Sequence, residues 1–201
     1  MSADSPEIAQ AKKALRSQVI RRRDDLPSAK SLEGSAVVAR HADLFSARFG
    51  QQGCISVYAC MGSEIDPAPL CERLTDLGHV LCLPVMIELG QPLVFRQWRP
   101  GDELEPKKWG ILEPLARAPV VEPDLLLLPM VAFDAKGWRL GYGGGFYDRT
   151  LARLRSLKTI VAIGLAFDEQ EVDAVPHAAY DERLDLVLTP SGLRSFQQMD
   201  V

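Results

Sequence analysis

The chain has 201 residues, 47% of them hydrophobic and 25% charged, with a formal net charge of −4. That length buries a full-sized core in one domain, and the composition is that of an ordinary water-soluble globule rather than a low-complexity chain. No apolar run approaches the roughly 20 residues that span a bilayer, and the acidic balance argues against bulk nucleic-acid binding while leaving room for a local basic site.

The start, M-S-A-D-S-P-E-I, lacks a basic-then-apolar export pattern, so the expected compartment is the cytoplasm. Ser5-Pro6-Glu7 opens a helix with a serine cap, a proline in the first turn and an acid beside it. Ile8, Ala11, Leu15 and Val19 recur at helical spacing until Leu26-Pro27 stops the run, and Arg21-Arg22-Arg23 reads as a solvated face. A second helix is predicted over residues 28–48, with Leu32, Ala36, Ala39 and Phe45 as its core positions. Residues 54–59 read as the first buried strand and residues 61–66 as the loop that leaves it. Asp66-Pro67 then opens a helix that buries Leu70, Leu74 and Leu77, and residues 80–83 form the next strand. Strand, helix and strand in that order predict a parallel pair with a right-handed crossover.

Residues 93–98 supply another strand, followed by a proline-rich irregular stretch over residues 100–123. Residues 125–128 are four leucines, as expected of a central strand buried on both faces. Residues 159–165 and 186–189 read as two more strands. The expected fold is α/β: a single domain over residues 1–201, with a mostly parallel sheet flanked by helices in a Rossmann-like three-layer arrangement. Ligands of such sheets gather outside the carboxyl ends of the strands. Cys54, Cys60, Cys71 and Cys82 form no C-x-x-C pair and read as small buried hydrophobes, and His41, His79 and His177 show no metal-ligand spacing.

The most informative segment is Arg139 to Asp148, R-L-G-Y-G-G-G-F-Y-D, with Gly141, Gly143, Gly144 and Gly145 within five positions. Glycines turn with positive φ and expose consecutive amides, and at the start of a helix those amides and the helix dipole favour an anion. Arg139 adds positive charge, and Asp148 in the first turn offers a carboxylate to a cation, which together suggest a nucleotide phosphate with magnesium. The plainer alternative is a tight turn beside an ordinary helix-start acid. Two standard fingerprints fail: no G-K-[ST] ends the loop, and Phe146 stands where a dinucleotide fingerprint wants its third glycine. A dehydrogenase using Gly141 and Gly143 with Asp168 as its ribose acid is therefore a poor reading.

In this order the chain resembles the 5-formyltetrahydrofolate cyclo-ligase family, also called methenyltetrahydrofolate synthetases. The resemblance rests on Lys12-Lys13-Ala14-Leu15-Arg16, Glu64-Ile65-Asp66 and Trp109-Gly110-Ile111-Leu112-Glu113-Pro114. It continues with Leu128-Pro129-Met130-Val131-Ala132-Phe133-Asp134 through the glycine segment to Asp148, then Gly164-Leu165-Ala166-Phe167 and Leu184-Asp185-Leu186-Val187-Leu188-Thr189.

The resemblance implies ATP- and magnesium-dependent closure of 5-formyltetrahydrofolate to 5,10-methenyltetrahydrofolate, releasing ADP and phosphate by way of a phosphorylated formyl group. It assigns Lys12, Arg16, Arg139, Gly141, Gly143, Gly144, Gly145, Phe146 and Tyr147 to ATP. It assigns Ala59, Glu64, Tyr142 and Phe146 to the folate, and Asp148 with Asp185 to magnesium. Arg139, Tyr142 and Gly144 would face the reacting groups. Some relatives carry cations where this chain has Tyr142 and Gly144, so less positive charge is expected in the loop itself. Asp134 and Gly137 are expected only to make a turn, and Trp109 to pack. The partners implied are the two small-molecule substrates, with neither nucleic acid nor membrane, and a monomer is expected. A nucleotide-binding relative without catalysis is the alternative, against which the presence of both Glu64 and Asp185 argues.

Overall fold

Burial in this chain follows the alternation of its strands, and the alternation sorts the side chains into two cores. The computed structural model describes residues 4–50 and 53–196, with the side chains of residues 48 and 49 excepted. Both ends of the expected domain, residues 1–3 and 197–201, lie outside the described residues.

Helix α1 (Pro6–Asp24) starts as the sequence predicts, with the Ser5 hydroxyl accepting from the Ile8 amide at 3.3 Å. The predicted helix over residues 28–48 is in fact two, α2 (Ser28–Ala39) and α3 (Ala42–Phe49). The break falls where the Arg40 and His41 amides turn back to Val37 and Val38, a tighter three-residue step. Leu32, expected in the core, is 74% exposed, and Ala36 is exposed too. The buried face is instead Gly34, Ser35, Val38 and Ala39. It is made of small residues because the helix lies close to Phe167: a β-carbon on Gly34 would stand 2.8 Å from that ring.

Strand β1 (Cys54–Ser56) is shorter than residues 54–59, although Val57 and Tyr58 stay buried beyond it. Helix α4 (Ala68–Asp76) follows Asp66, whose carboxylate accepts the Ala68 amide at 2.9 Å. Then come β2 (Val80–Val85) and β3 (Val94–Gln97). The stretch expected to be irregular holds a small hairpin, β4 (Leu104–Pro106) and β5 (Leu112–Pro114), and the short β6 (Val120–Val121). The four leucines form β7 (Leu125–Pro129), followed by β8 (Ala132–Asp134) and β9 (Arg139–Leu140). Helix α5 (Phe146–Leu157), β10 (Val161–Leu165), β11 (Glu171–Val172), β12 (Leu186–Thr189) and β13 (Gly192–Ser195) complete the chain.

The main sheet runs β13-β12-β10-β7-β1-β2-β3-β6. Its central five strands, β12, β10, β7, β1 and β2, are mutually parallel, while β3 and β13 run antiparallel to their neighbours. Leu125 and Leu127 face one core with α2, α3 and α4, and Leu126 and Leu128 face the other with Leu151 and Leu154 of α5. This is the three-layer α/β arrangement that the sequence predicts. A second sheet, β11-β8-β9, forms its own small core with Val19 of α1 through Val131, Ala132, Leu140 and Val175. That attachment places the first helix across the chain entering the glycine loop.

The turn into β9 is built by Asp134 and Gly137. Asp134 Oδ1 accepts the Lys136 and Trp138 amides at 2.9 and 3.1 Å, and Gly137 has φ +83. Asp134 Oδ2 also accepts the Val175 amide at 2.9 Å, which ties the turn to the strand region on its other side.

Candidate active site

The glycine loop leaves β9 of the small sheet and enters α5. A dinucleotide fingerprint instead requires a central parallel strand to feed the loop directly, so the dehydrogenase alternative loses its structural basis. Gly143 (φ +99) and Gly145 (φ +62) need conformations that side chains resist, whereas Gly141 and Gly144 do not. Gly144 is small for another reason, since a β-carbon there would meet the Phe146 ring at 2.7 Å. Gly145 is the N-cap of α5 and supplies no side-chain acceptor, so the first amides of the helix remain available to an anion. Tyr142, Gly143 and Gly144 are exposed, and two cavities of about 410 and 180 Å³ lie elsewhere, lined by none of the loop residues. The tip of the loop is open to solvent.

The inward face of α1 is cationic. Lys12, Val19 and Arg23 are its buried residues, and Arg16 is half-buried between them. Steps of four, three and four residues place all of these on one face. Arg16 Nε donates to the Gly141 carbonyl at 2.7 Å, and burial lowers the guanidinium's pKa from its ordinary value. Lys12 is held between Asp181 at 2.7 Å and Asp4 at 3.0 Å, above the Tyr180 ring. Burial alone would raise the Asp4 carboxyl, but the Tyr180 hydroxyl and Lys12 outweigh it and hold it below the usual range. Lys12 therefore points at carboxylates here, while Arg16 points at the loop.

Glu64 sits at the carboxyl-end side of the sheet, 8% exposed, with Oε2 accepting the Met61 amide at 2.9 Å. Burial raises its carboxyl above the usual range, opposed by the Tyr142 hydroxyl, that amide and the Arg23 charge. Ala59 is half-buried in the same segment, and Phe146 and Tyr147 are half-buried in the first turn of α5. Burial and the Glu64 charge together raise the Tyr147 phenol. Trp109, expected to pack, is instead 59% exposed with φ +60, and its ring meets Phe146 edge-on at 6.4 Å between centroids.

The two acids expected to share a cation have separate partners. Asp148 Oδ1 accepts Arg139 Nη2 at 2.8 Å and the Glu182 amide at 3.1 Å. Asp185 Oδ2 accepts Arg155 Nη2 at 3.0 Å and the Ala162 amide at 2.7 Å. Between them lie the Arg155 guanidinium and the backbone at Glu182 and Arg183. Asp185 stands at the amino end of β12, near the last turn of α5, whereas Asp148 stands in the first turn beside the loop. Arg139 is itself buried, joined to Asp148 and, through Nη1, to the Glu182 carbonyl. It orients the acid and is not itself open to solvent. Asp148 Oδ2 receives no hydrogen bond from the described residues, and that donor is what a magnesium ion with phosphate and water ligands would use.

Two residues at the site escape the sequence reading. Arg149 donates through Nη2 to the Gly144 carbonyl, lies 5.5 Å from the Phe146 ring centroid, and has a buried Nε without a partner. It brings to the loop a cation that positions 142 and 144 lack. Arg23, read as part of a solvated run, is 4% exposed and reaches Tyr142. The signal for Arg23 was present in the spacing: it is eleven residues after Lys12, on the same helical face. Cys60, expected to be buried, is exposed, while Cys71 and Cys82 are buried as expected.

With this geometry in place, comparison with known proteins is specific. Residues 8–190 match the family model described as the 5-formyltetrahydrofolate cyclo-ligase family. A 5-formyltetrahydrofolate cyclo-ligase of Escherichia coli is 39% identical over 142 residues, which cover 68% of this chain and 78% of that protein. The enzyme of the same name from Haemophilus influenzae is 32% identical over 178 residues, covering 86% and 94%. The NMR structure of Aquifex aeolicus 5,10-methenyltetrahydrofolate synthetase superposes with a TM-score of 0.76 at 26% identity, over 94% of this chain and 95% of that one.

Proposed function

The chain belongs to the 5-formyltetrahydrofolate cyclo-ligase family, and on that premise we propose that it closes 5-formyltetrahydrofolate to 5,10-methenyltetrahydrofolate at the expense of ATP, within one domain over residues 1–201. The formyl oxygen attacks the γ-phosphorus and ADP leaves. The folate's anilino nitrogen then attacks the activated formyl carbon and loses its proton, and phosphate departs with the former formyl oxygen. An amide oxygen is a poor leaving group, and phosphorylation makes it a good one. Phosphoryl transfer needs positioning and charge stabilisation more than a side-chain nucleophile.

The observation that carries this reading is the glycine loop with Arg16 on its Gly141 carbonyl and Arg149 on its Gly144 carbonyl. The amides of the exposed Gly143 and Gly144 and those at the start of α5 suit the phosphates, with Arg16, Arg149 and the more distant Lys12 supplying charge. Lys12 joins only by exchanging Asp4 for a phosphate. Glu64 would accept from the donor-rich edge of the pterin, with Ala59, Tyr142 and Phe146 lining the ring's place. Asp148, oriented by Arg139, is the proposed magnesium ligand; Asp185 contributes only if its Arg155 pair opens. Magnesium would supply neutralisation of the β- and γ-phosphate charge.

Substrate labelled with heavy oxygen in the formyl group tests the intermediate. The labelled atom should appear in inorganic phosphate, one per turnover, seen by phosphorus NMR. Unlabelled phosphate alongside normal product formation would exclude the phosphorylated route.

A further inference from the structure

We infer that Arg23 is a positioning residue for the folate end of the site: its guanidinium joins the Tyr142 hydroxyl to the segment that carries Glu64, so that the first helix and the glycine loop are fastened together beside the substrate-facing carboxylate. This rests on the proposal that Glu64 faces the folate.

Arg23 is 4% exposed at the end of α1. Its Nε donates to Ser63 Oγ at 2.9 Å, Nη1 to the Met130 carbonyl at 3.5 Å, and Nη2 to the Tyr142 hydroxyl at 2.9 Å. One side chain thus ties α1 to the loop after β1, the end of β7 and the glycine loop. All three partners are neutral, and no carboxylate lies within ion-pair distance of Arg23 among the described residues. A cation this deeply buried is costly unless its charge is answered.

The polarity of the hydrogen bonds shows how it is answered. Arginine has only donors, so the Tyr142 oxygen must accept from it, and the single phenolic proton is left for another acceptor. The nearby carboxylate is Glu64, next in sequence to the Ser63 held by the same guanidinium, and its charge is felt by both Tyr142 and Arg23. Ser63 also accepts from Arg23, and it donates to the Asp24 carboxylate. One hydroxyl, that of Ser63, therefore relays the buried charge to a carboxylate, and the other, that of Tyr142, is held polarised beside the Glu64 segment. Moving the loop away would take the Tyr142 hydroxyl from Arg23 and from the neighbourhood of Glu64, so loop position and the charge of Glu64 are coupled.

The groups facing Glu64 are Arg23 from α1, Tyr142 from the loop, Tyr147 from α5, and Tyr58, Cys60 and the Met61 amide from its own segment. Burial and the Glu64 charge push the Cys60 thiol up to about 11 and raise the three phenols further, so these stay neutral while Glu64 titrates.

The test follows the Glu64 carboxylate by NMR of isotopically labelled glutamate, assigned by its loss in Glu64→Gln, in the full chain and in Arg23→Met, Arg23→Lys and Tyr142→Phe. Removing either the guanidinium or the Tyr142 hydroxyl should move the Glu64 titration to higher pH, with Arg23→Lys in between because it keeps the charge but cannot span three acceptors. The apparent KM for folate should rise roughly tenfold near neutral pH, the loss expected for one hydrogen bond to a charged group, and more than the KM for ATP. If Arg23→Met does not fold, Tyr142→Phe decides alone, since it removes only the hydroxyl. An unchanged Glu64 titration in the folded variants overturns the inference and leaves Arg23 a purely structural tether. The titration needs no substrate, so it stands apart from failure of the wild-type protein to turn over folate, which would overturn the proposed function instead.

Discussion

Arg16 Nε donates to the carbonyl oxygen of Gly141 at 2.7 Å, so the first helix is fastened to the glycine loop at the loop's first residue. The same guanidinium lies 3.5 Å from where a β-carbon on Gly143 would stand, close enough to share an anion with the loop amides. Arg16→Ala should raise the apparent KM for ATP about tenfold or more, as loss of a charge-assisted contact does, with a smaller effect on folate. Lys12→Ala should behave differently. It leaves Asp4 and Asp181 without their shared cation, and breaking so enclosed a pair should cost about 3 kcal/mol of stability. Chemical denaturation separates the two variants, and equal stability losses in both would contradict these assignments.

The four loop glycines should not be equivalent. Gly143→Ala and Gly145→Ala force a side chain into positive φ and should each cost about 1–2 kcal/mol. Gly144→Ala has no such conformational cost but must displace the Phe146 ring, so its main effect should fall on folate KM. A β-carbon on Gly141 would meet nothing within 4 Å, so Gly141→Ala should leave the melting temperature unchanged. A uniform melting-temperature loss across the four would refute this distinction.

The sequence made the layers of this fold readable because β7, β10 and β12 are runs of apolar residues that bury on both faces, and no other element competes for them. It misled at α2, where a leucine suggests a core face but close approach to Phe167 demands glycine, serine and alanine; tertiary contact overrode hydrophobicity. The glycine loop announced itself through composition, yet Arg23 did not, since a buried arginine whose partners are hydroxyls and a carbonyl looks in sequence like any surface charge. Arg149 was hidden for the same reason. The separation of Asp148 from Asp185 arises because one stands in the first turn of α5 and the other at the amino end of β12, beside the last turn of that helix, and spacing along the chain does not encode it.

Glu64 offers a trade between stability and function. Its folded pKa is raised, chiefly by burial, so the folded state holds the proton more tightly than the unfolded state. The stability it contributes is present below the unfolded glutamate pKa, about 4.3, and is lost as pH rises through the folded value. Glu64→Gln should therefore melt at a higher temperature than wild type near pH 7, the difference shrinking towards pH 4, while folate binding falls. A wild-type melting curve at both pH values would contradict the buried, raised carboxylate.

Asp148→Asn and Asp185→Asn separate the two acids. Asp148→Asn should raise the magnesium concentration needed for half-maximal rate, with partial recovery in excess magnesium, because an amide keeps the shape but loses the charge. Asp185→Asn weakens the tie to Arg155 and the Ala162 amide and should lower stability while leaving the magnesium dependence close to wild type. Equal shifts in magnesium dependence for both would mean that the Arg155 pair opens and that both acids reach the cation.

The central claim is ATP-dependent closure of the folate ring, and 5,10-methenyltetrahydrofolate reports on it directly through its strong near-ultraviolet absorbance. Purified full-length protein, mixed with 5-formyltetrahydrofolate, ATP and magnesium, should generate that absorbance with ADP formed in equal amount, and omission of ATP should abolish both. Product formed at the same rate without ATP, or ATP hydrolysed with no rise in absorbance, would contradict the account.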